Sequence, residues 1–159
     1  MKKTPKIKLM RSIMAFFAIA LLASACLDEP DCVASENTTT IRFSFRKLTG
    51  GVDTISFEFV NIISGDQVFV TEPLEDISTL DLTVNPTDTT TTFVFQQSGQ
   101  VSANTLVLRY DPVARLISPE CGVETLVQNL GIIEQDFDSI SILKPDLEEF
   151  IETNVQIFN

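Results

Sequence analysis

Carboxylates are the reactive groups this chain holds in quantity: 22 Asp and Glu side chains against 11 Lys and Arg, with three Cys and no His. A hydrolase built on paired acids is compatible with that inventory, one carboxyl giving a proton while the other activates water or attacks. Asp111, Glu120 and Glu124 are its first candidates, because they flank the most distinctive segment, Leu116-Ile117-Ser118-Pro119-Glu120-Cys121-Gly122. The lack of histidine removes Ser-His-Asp and Cys-His triads, histidine-ligated zinc and imidazole acid–base work. A Ser–Lys pair would need Lys47 or Lys144 desolvated beside a serine, and both follow aliphatic runs amid polar neighbours, as snorkelling surface lysines do. No glycine-rich phosphate loop is present. Asp28-Glu29-Pro30-Asp31 and Glu134-Gln135-Asp136-Phe137-Asp138 could donate oxygens to calcium, although neither has the ligand order of a calcium loop. Loop acids in an acidic β domain mostly serve solubility, so the residues point to a protein that is not an enzyme and has no metal or catalytic cofactor.

The cysteines carry more. The first eleven residues hold Lys2, Lys3, Lys6, Lys8 and Arg11 without an acid, and the next fourteen hold no charge. This is the layout of an export signal, and its apolar run, stopped by Cys26-Leu27-Asp28, falls short of the roughly 20 residues of a membrane-spanning helix. Small side chains at Ala23, Ser24 and Ala25 suit a narrow peptidase pocket. Two outcomes stay open: ordinary cleavage beside an incidental cysteine, or lipoprotein processing. Leu22-Ala23-Ser24-Ala25-Cys26 resembles the bacterial lipobox, whose cysteine takes a diacylglycerol and a fatty acid and becomes the new N-terminus. Basic start, apolar run, small residues and cysteine coincide, which favours lipidation of Cys26. In an exported protein the remaining Cys32 and Cys121 are expected to form a disulfide. It would close a loop of 90 residues, worth about 4 to 5 kcal/mol in the chain-entropy model. The alternative is two separate thiols, one of them buried.

The expected organisation is a signal over 1–25, an acidic tether over 26–37 and one domain over 38–159. Cleavage removes five bases and no acids, so the formal charge moves from −11 to −16. Such a surface repels phosphate backbones and anionic headgroups, which argues against nucleic acid as a partner. Membrane attachment would come from acyl chains, at about 0.8 kcal/mol per buried CH₂.

The elements that must position these residues read as strands. In Thr38–Leu48 the apolar Ile41, Phe43 and Phe45 alternate with Arg42, Ser44 and Arg46, and after Gly50-Gly51 the run 53–61 repeats this with Ile55, Phe57 and Phe59, suggesting a hairpin. Further strands are expected over 66–71, 78–84, 90–97, 104–111, 121–128, 138–143 and 154–159, with turns at Ser64-Gly65-Asp66, Asn85-Pro86-Thr87-Asp88, Ser98-Gly99 and Asp111-Pro112. Lys144–Ile151 has Pro and acids at its start and apolar residues at helical spacing, predicting one short helix near 145–152. The fold class is all-β: an antiparallel two-layer β-sandwich of about eight or nine strands.

Several pieces taken together, the lipobox, Cys32, Asp88–Phe95, Ile117-Ser118-Pro119-Glu120-Cys121-Gly122 followed by Val127-Gln128-Asn129-Leu130, and the close Val155-Gln156-Ile157-Phe158, resemble a family of small lipoproteins of the Bacteroidota built on a domain of unknown function. The resemblance spans most of the mature chain and implies an exported, lipid-anchored domain with no assigned activity. The chain departs from it at Leu147–Glu152, where extra helical residues stand, and at Pro119-Glu120, where smaller residues would be expected. In that lineage an acidic stretch after the lipidated cysteine, here Leu27-Asp28-Glu29, sends lipoproteins to the outer face of the outer membrane; a plain solvated linker has the same composition. Its protein O-glycosylation sequence would place sugars on Thr54, Thr89 and Ser139, each preceded by Asp. Asp and Thr also favour such corners for backbone hydrogen bonding alone.

The expected protein is therefore a lipid-anchored outer-membrane or periplasmic sandwich, an accessory or binding module beside an integral outer-membrane protein. Alternatives are an acidic-residue hydrolase on envelope glycans and a calcium- or carbohydrate-binding surface module. Asn154–Asn159 and the Phe-rich early strands could offer a sheet edge to a partner. For Phe43, Phe45, Phe57, Phe59, Phe93 and Phe95 a place in the core is the expectation.

Overall fold

The computed structural model describes residues 36–147 and 152–159. The chain divides after Cys32, and every described residue belongs to the second unit, Val33–Asn159. A 3₁₀ turn at Glu36–Thr39 leads into β1 (Thr40–Arg46), then β2 (Ile55–Ser64), β3 (Gln67–Val70), β4 (Leu74–Ile77), β5 (Thr79–Thr83), β6 (Thr90–Gln97), β7 (Asn104–Ser118), β8 (Gly122–Gln135), β9 (Ser139–Ile142) and β10 (Thr153–Phe158). One sheet is ordered β5-β1-β10-β9 and the other β3-β2-β6-β7-β8, with β4 sharing with β3 the edge of β2 that faces away from β6. The result is the expected all-β, two-layer sandwich.

Alternation makes the layers. Ile41, Phe43 and Phe45 of β1 are fully buried, while Arg42 and Arg46 between and beyond them reach solvent, as a strand with one face on a core requires. Leu80 and Leu82 of β5 and Val155 and Ile157 of β10 extend that face, and Phe57, Phe93, Phe95, Leu106 and Leu108 supply the opposing one. The rings lock the layers together: Phe43 lies 5.2 Å from Phe93 and 5.8 Å from Phe95, both near edge-to-face, and Phe45 lies 5.3 Å from Phe57. Such pairs add about 0.5 to 1.5 kcal/mol each beyond burial, so they fix which strands lie over which.

The two Phe-rich runs do not form a hairpin. β1 sits between β5 and β10, β2 lies in the other sheet, and the loop between them folds back on the end of β1 through an isolated bridge, Arg46–Val52. Each run carries an aromatic inner face, and stacking the two buries more than setting them side by side. The β1–β10 pairing is parallel, so the first sheet is mixed and not purely antiparallel. That pairing also makes β10 an interior strand, which removes Asn154–Asn159 as a free edge. Phe59 is only partly buried: the register of β2 on β6 shifts between Phe57 and Phe59, and the bulge turns Phe59 outward while Val60 takes the core position.

Asp111-Pro112 is not a turn, since β7 runs through it. β6 pairs with β7 only as far as Arg109, and Val127, opposite Pro112 on β8, turns its carbonyl away to accept the Leu147 N–H at 2.9 Å. Pro112 therefore sits where no ladder donor is needed. β4, which starts directly after Pro73 and carries Glu75 and Asp76, is not among the expected strands, yet Leu74 and Ile77 pack inward. Pro145–Leu147 is not helical, and the rest of the expected helix, residues 148–151, lies outside the described residues, as do the signal and most of the tether.

Candidate functional site

β3 and β5 are the outermost strands of their sheets on one side of the sandwich. After β4 the chain crosses between the sheets at Ser78, whose carbonyl accepts the Phe45 N–H at 3.0 Å, and it continues as β5. At that corner Leu74 and Ile77 pack onto the core and close the flank. Farther along, the sheets part. Phe69 stands opposite buried Ile62 in the β2–β3 ladder, which puts its ring on the core face, yet it is 57% exposed, with no strand beyond β5 to cover it among the described residues. The gap is a groove of about 470 Å³, with Ile62, Leu82 and Val84 as its floor, Phe69 on one wall and Pro86 at its end.

The edge of β5 is ready for pairing. The Val84 N–H donates to Thr39 O at 2.9 Å and the Phe45 N–H to Ser78 O, which fixes the even-numbered residues of β5 as those bonded to β1. By antiparallel alternation Thr79, Asp81 and Thr83 turn their N–H and C=O groups away from β1, along the groove. An edge of this kind is a template for a further strand.

The far lip is held rigidly. Asn85 Oδ1 accepts from the Thr87 N–H at 3.0 Å and from the Thr87 hydroxyl at 2.8 Å. Tyr110 donates from β7 to Asn85 O at 3.0 Å and meets Thr91 Oγ1 at 2.8 Å. Burial pushes the Tyr110 phenol up, so it stays neutral. Asp88 Oδ2 accepts from Ser64 Oγ at 3.0 Å. The Thr89 N–H, and secondly that Ser64 hydroxyl, hold the Asp88 carboxyl below its usual range. Gly65 opens the two-residue β2–β3 turn with φ +54°, and a Cβ there would come within 3.3 Å of Asp88 Oδ2. On the rim, Arg42 forks onto Asp81, Nε to Oδ1 at 2.7 Å and Nη2 to Oδ2 at 2.6 Å, and this bond raises the Arg42 pKa further. What the groove offers is apolar contact beside a strand edge that no other described strand pairs.

The acids singled out in the sequence are not brought together. Glu124 is buried and bonded by Arg115 Nε at 2.6 Å. Asp111 faces Gln128, four residues along β8 from Glu124 or about 13 Å at the rise of a strand, beyond the separation of a glycosidase pair. Asp111 accepts from Asn129 Nδ2 at 2.9 Å, and Glu120 accepts from Ser118 Oγ at 3.1 Å at the β7–β8 tip. Cys121 occupies the same tip, where its N–H donates to Ser118 Oγ at 3.0 Å; Cys32 and Cys26 lie outside the described residues. Thr54 and Thr89 are exposed just ahead of strands, each with its N–H on the preceding Asp, and Ser139, which begins β9, is half-buried.

Asp136 and Asp138, from the loop considered for calcium, line a second cleft of about 370 Å³ with Asp53, Gln97 and Gln100. Asp136 Oδ2 there accepts the Thr105 N–H at 3.0 Å. Among the described residues no three His, Cys, Asp or Glu side chains stand close enough to share a metal ion.

Fold and groove together define a small mixed-sheet β-sandwich domain with one uncovered apolar flank. The chain belongs to the family of unknown function DUF6452, whose model matches residues 59–159, more than half its length. The match takes in β3, β5 and the β7–β8 tip. No curated protein and no solved structure matches the chain.

Proposed function

We propose that the protein is a lipoprotein of the bacterial outer membrane, anchored by a diacylglycerol and a fatty acid on Cys26. Its sandwich is an accessory module, not an enzyme, which docks an integral envelope protein in the groove between β3 and β5. The observation that carries the docking role is Phe69, a large ring on the core face of its sheet left mostly in water at the mouth of an apolar gap. Uncovered apolar surface rimmed by polar groups is characteristic of interaction sites. Anchoring is supported by the basic start, the uncharged run and the small residues before Cys26.

A Cys32–Cys121 disulfide belongs to the same proposal. Cys121 is not a free, titrating thiol, and it lies at the tip of a ribbon that Thr38 Oγ1 also ties down through Thr125 O at 3.0 Å. A bond there holds the tether to the domain.

Two variants test the reading. Cys26→Ser is expected to leave the membrane fraction; retention in membranes at unchanged mass overturns the anchor. Phe69→Asp, recovered from detergent-solubilised membranes, is expected to lose a stoichiometric partner while staying membrane-bound, and unaltered recovery of that partner overturns the groove.

A further inference from the structure

We infer that the groove takes an extended strand of the partner, added to the outer edge of β5 as a fifth strand of the first sheet, with apolar residues facing Phe69 and basic residues alternating with them. This rests on reading the groove as a protein-docking site and goes beyond it by naming the mode and the chemistry. The first sheet has four strands where the second has five positions across, so the inner face at Phe69 lacks a covering strand among the described residues. β5 supplies the matching edge through the outward N–H and C=O groups of Asp81 and Thr83.

The molecule already shows such an occupant on its opposite flank. There Pro145 O accepts the Leu130 N–H at 2.8 Å, the Leu147 N–H donates to Val127 O at 2.9 Å, and Leu147 enters the core. An extended segment thus pairs with an edge strand and drops an apolar side chain between the sheets.

Charge selects the partner. On the rim Asp81 and Arg42 balance each other, so the field is set by exposed Asp66 and the Asp88 carboxylate, which flank the β2–β3 turn. A strand with lysine or arginine on its outer face is complementary. A second copy is not, because it brings the same excess of acid, 22 Asp and Glu against 11 Lys and Arg.

The test uses the full chain in detergent and a synthetic nonapeptide alternating lysine and valine, followed by amide hydrogen exchange. Exchange at Asp81 and Thr83 is expected to slow about tenfold, and a peptide N-methylated at alternate residues is expected to leave it unchanged. Thr83→Pro removes an outward N–H, which an edge strand tolerates, and is expected to abolish the protection with circular dichroism intact. Should that variant unfold, the N-methylated peptide decides the matter on the natural sequence. Protection at Val68 and Val70 instead, or protection of β5 without peptide in a concentration-dependent dimer, overturns the inference. If Phe69→Asp loses the membrane partner while folded Thr83→Pro keeps it, strand addition fails and docking stands.

Discussion

On its β8 side the sandwich covers its own edge; on its β3–β5 side it leaves one bare. β8 gives its outer carbonyls and amides to Thr38, Pro145 and Leu147, and its Asn129 N–H to Asp146 Oδ1 at 3.0 Å, and Leu147 is only 4% exposed. β5 ends its sheet with Asp81 and Thr83 facing outward, and Phe69 on the neighbouring edge stays in water. Both flanks are made from apolar residues on edge strands, so hydrophobicity does not separate them. What separates them, among the described residues, is whether a stretch of chain lies across the gap. Residues 143–147, between β9 and β10, are free to do so on one side, whereas on the other the chain turns directly from β4 into β5 through Ser78. A flank left bare by the described residues beside a hydrogen-bonded lip is the physical support for the proposed binding role. The exposed edge is an aggregation hazard, which Pro73 and the acids Asp66, Glu72 and Glu75 beside it reduce.

The sharpest way to break the contrast is to open the sealed side. Leu147→Ala should cost about 2 to 5 kcal/mol, the range for truncating a buried leucine, read as a fall in the urea midpoint. A cost near zero would mean that Leu147 is not a plug and that both flanks are open. Next comes the lip: Tyr110→Phe removes the hydrogen bonds to Asn85 O and Thr91 and should cost about 1 to 2 kcal/mol, with faster amide exchange confined to residues 85–88. Phe69→Ala, on the open side, should change stability by no more than about 0.5 kcal/mol, as exposed substitutions do. A loss comparable to that at Leu147 would place Phe69 in the core and dissolve the distinction.

These regions differed in how legible they were. Period-two alternation exposed β1, β6, β10 and the class of the fold, because each of these strands buries one face. It could not assign strands to sheets: Phe43 and Phe57 carry the same pattern, and only the cross-sheet ring contacts decide that they oppose each other. Nor could it see the bulge that turns Phe59 outward, since one extra residue in a ladder leaves no mark in composition. The groove was invisible for a similar reason. Gln67–Val70 was readable as a strand, but the exposure of Phe69 depends on the opposite sheet ending at β5. Lys144–Leu147 misled because its helical spacing was real while β8 offered its backbone better partners.

The smallest expected effect concerns acid and the lip of the open flank. The Thr89 N–H and Ser64 Oγ hold the Asp88 carboxyl below its ordinary range, so the folded state favours the carboxylate more than the unfolded chain does. The resulting stability is fully present above the unfolded value, about 3.9, and is lost as pH falls through the lower, folded value. Asp88→Asn keeps Oδ1 as acceptor for the Thr89 N–H, sets an amide N–H that can donate to Ser64 Oγ where Oδ2 accepted from it, and cannot titrate. Urea midpoints of the two proteins should differ most at neutral pH and converge in acid, where the natural residue is protonated as well. Curves that run parallel from neutral to acid pH would show that Asp88 does not tie the β2–β3 turn to the lip, leaving Tyr110 to hold the groove open by itself.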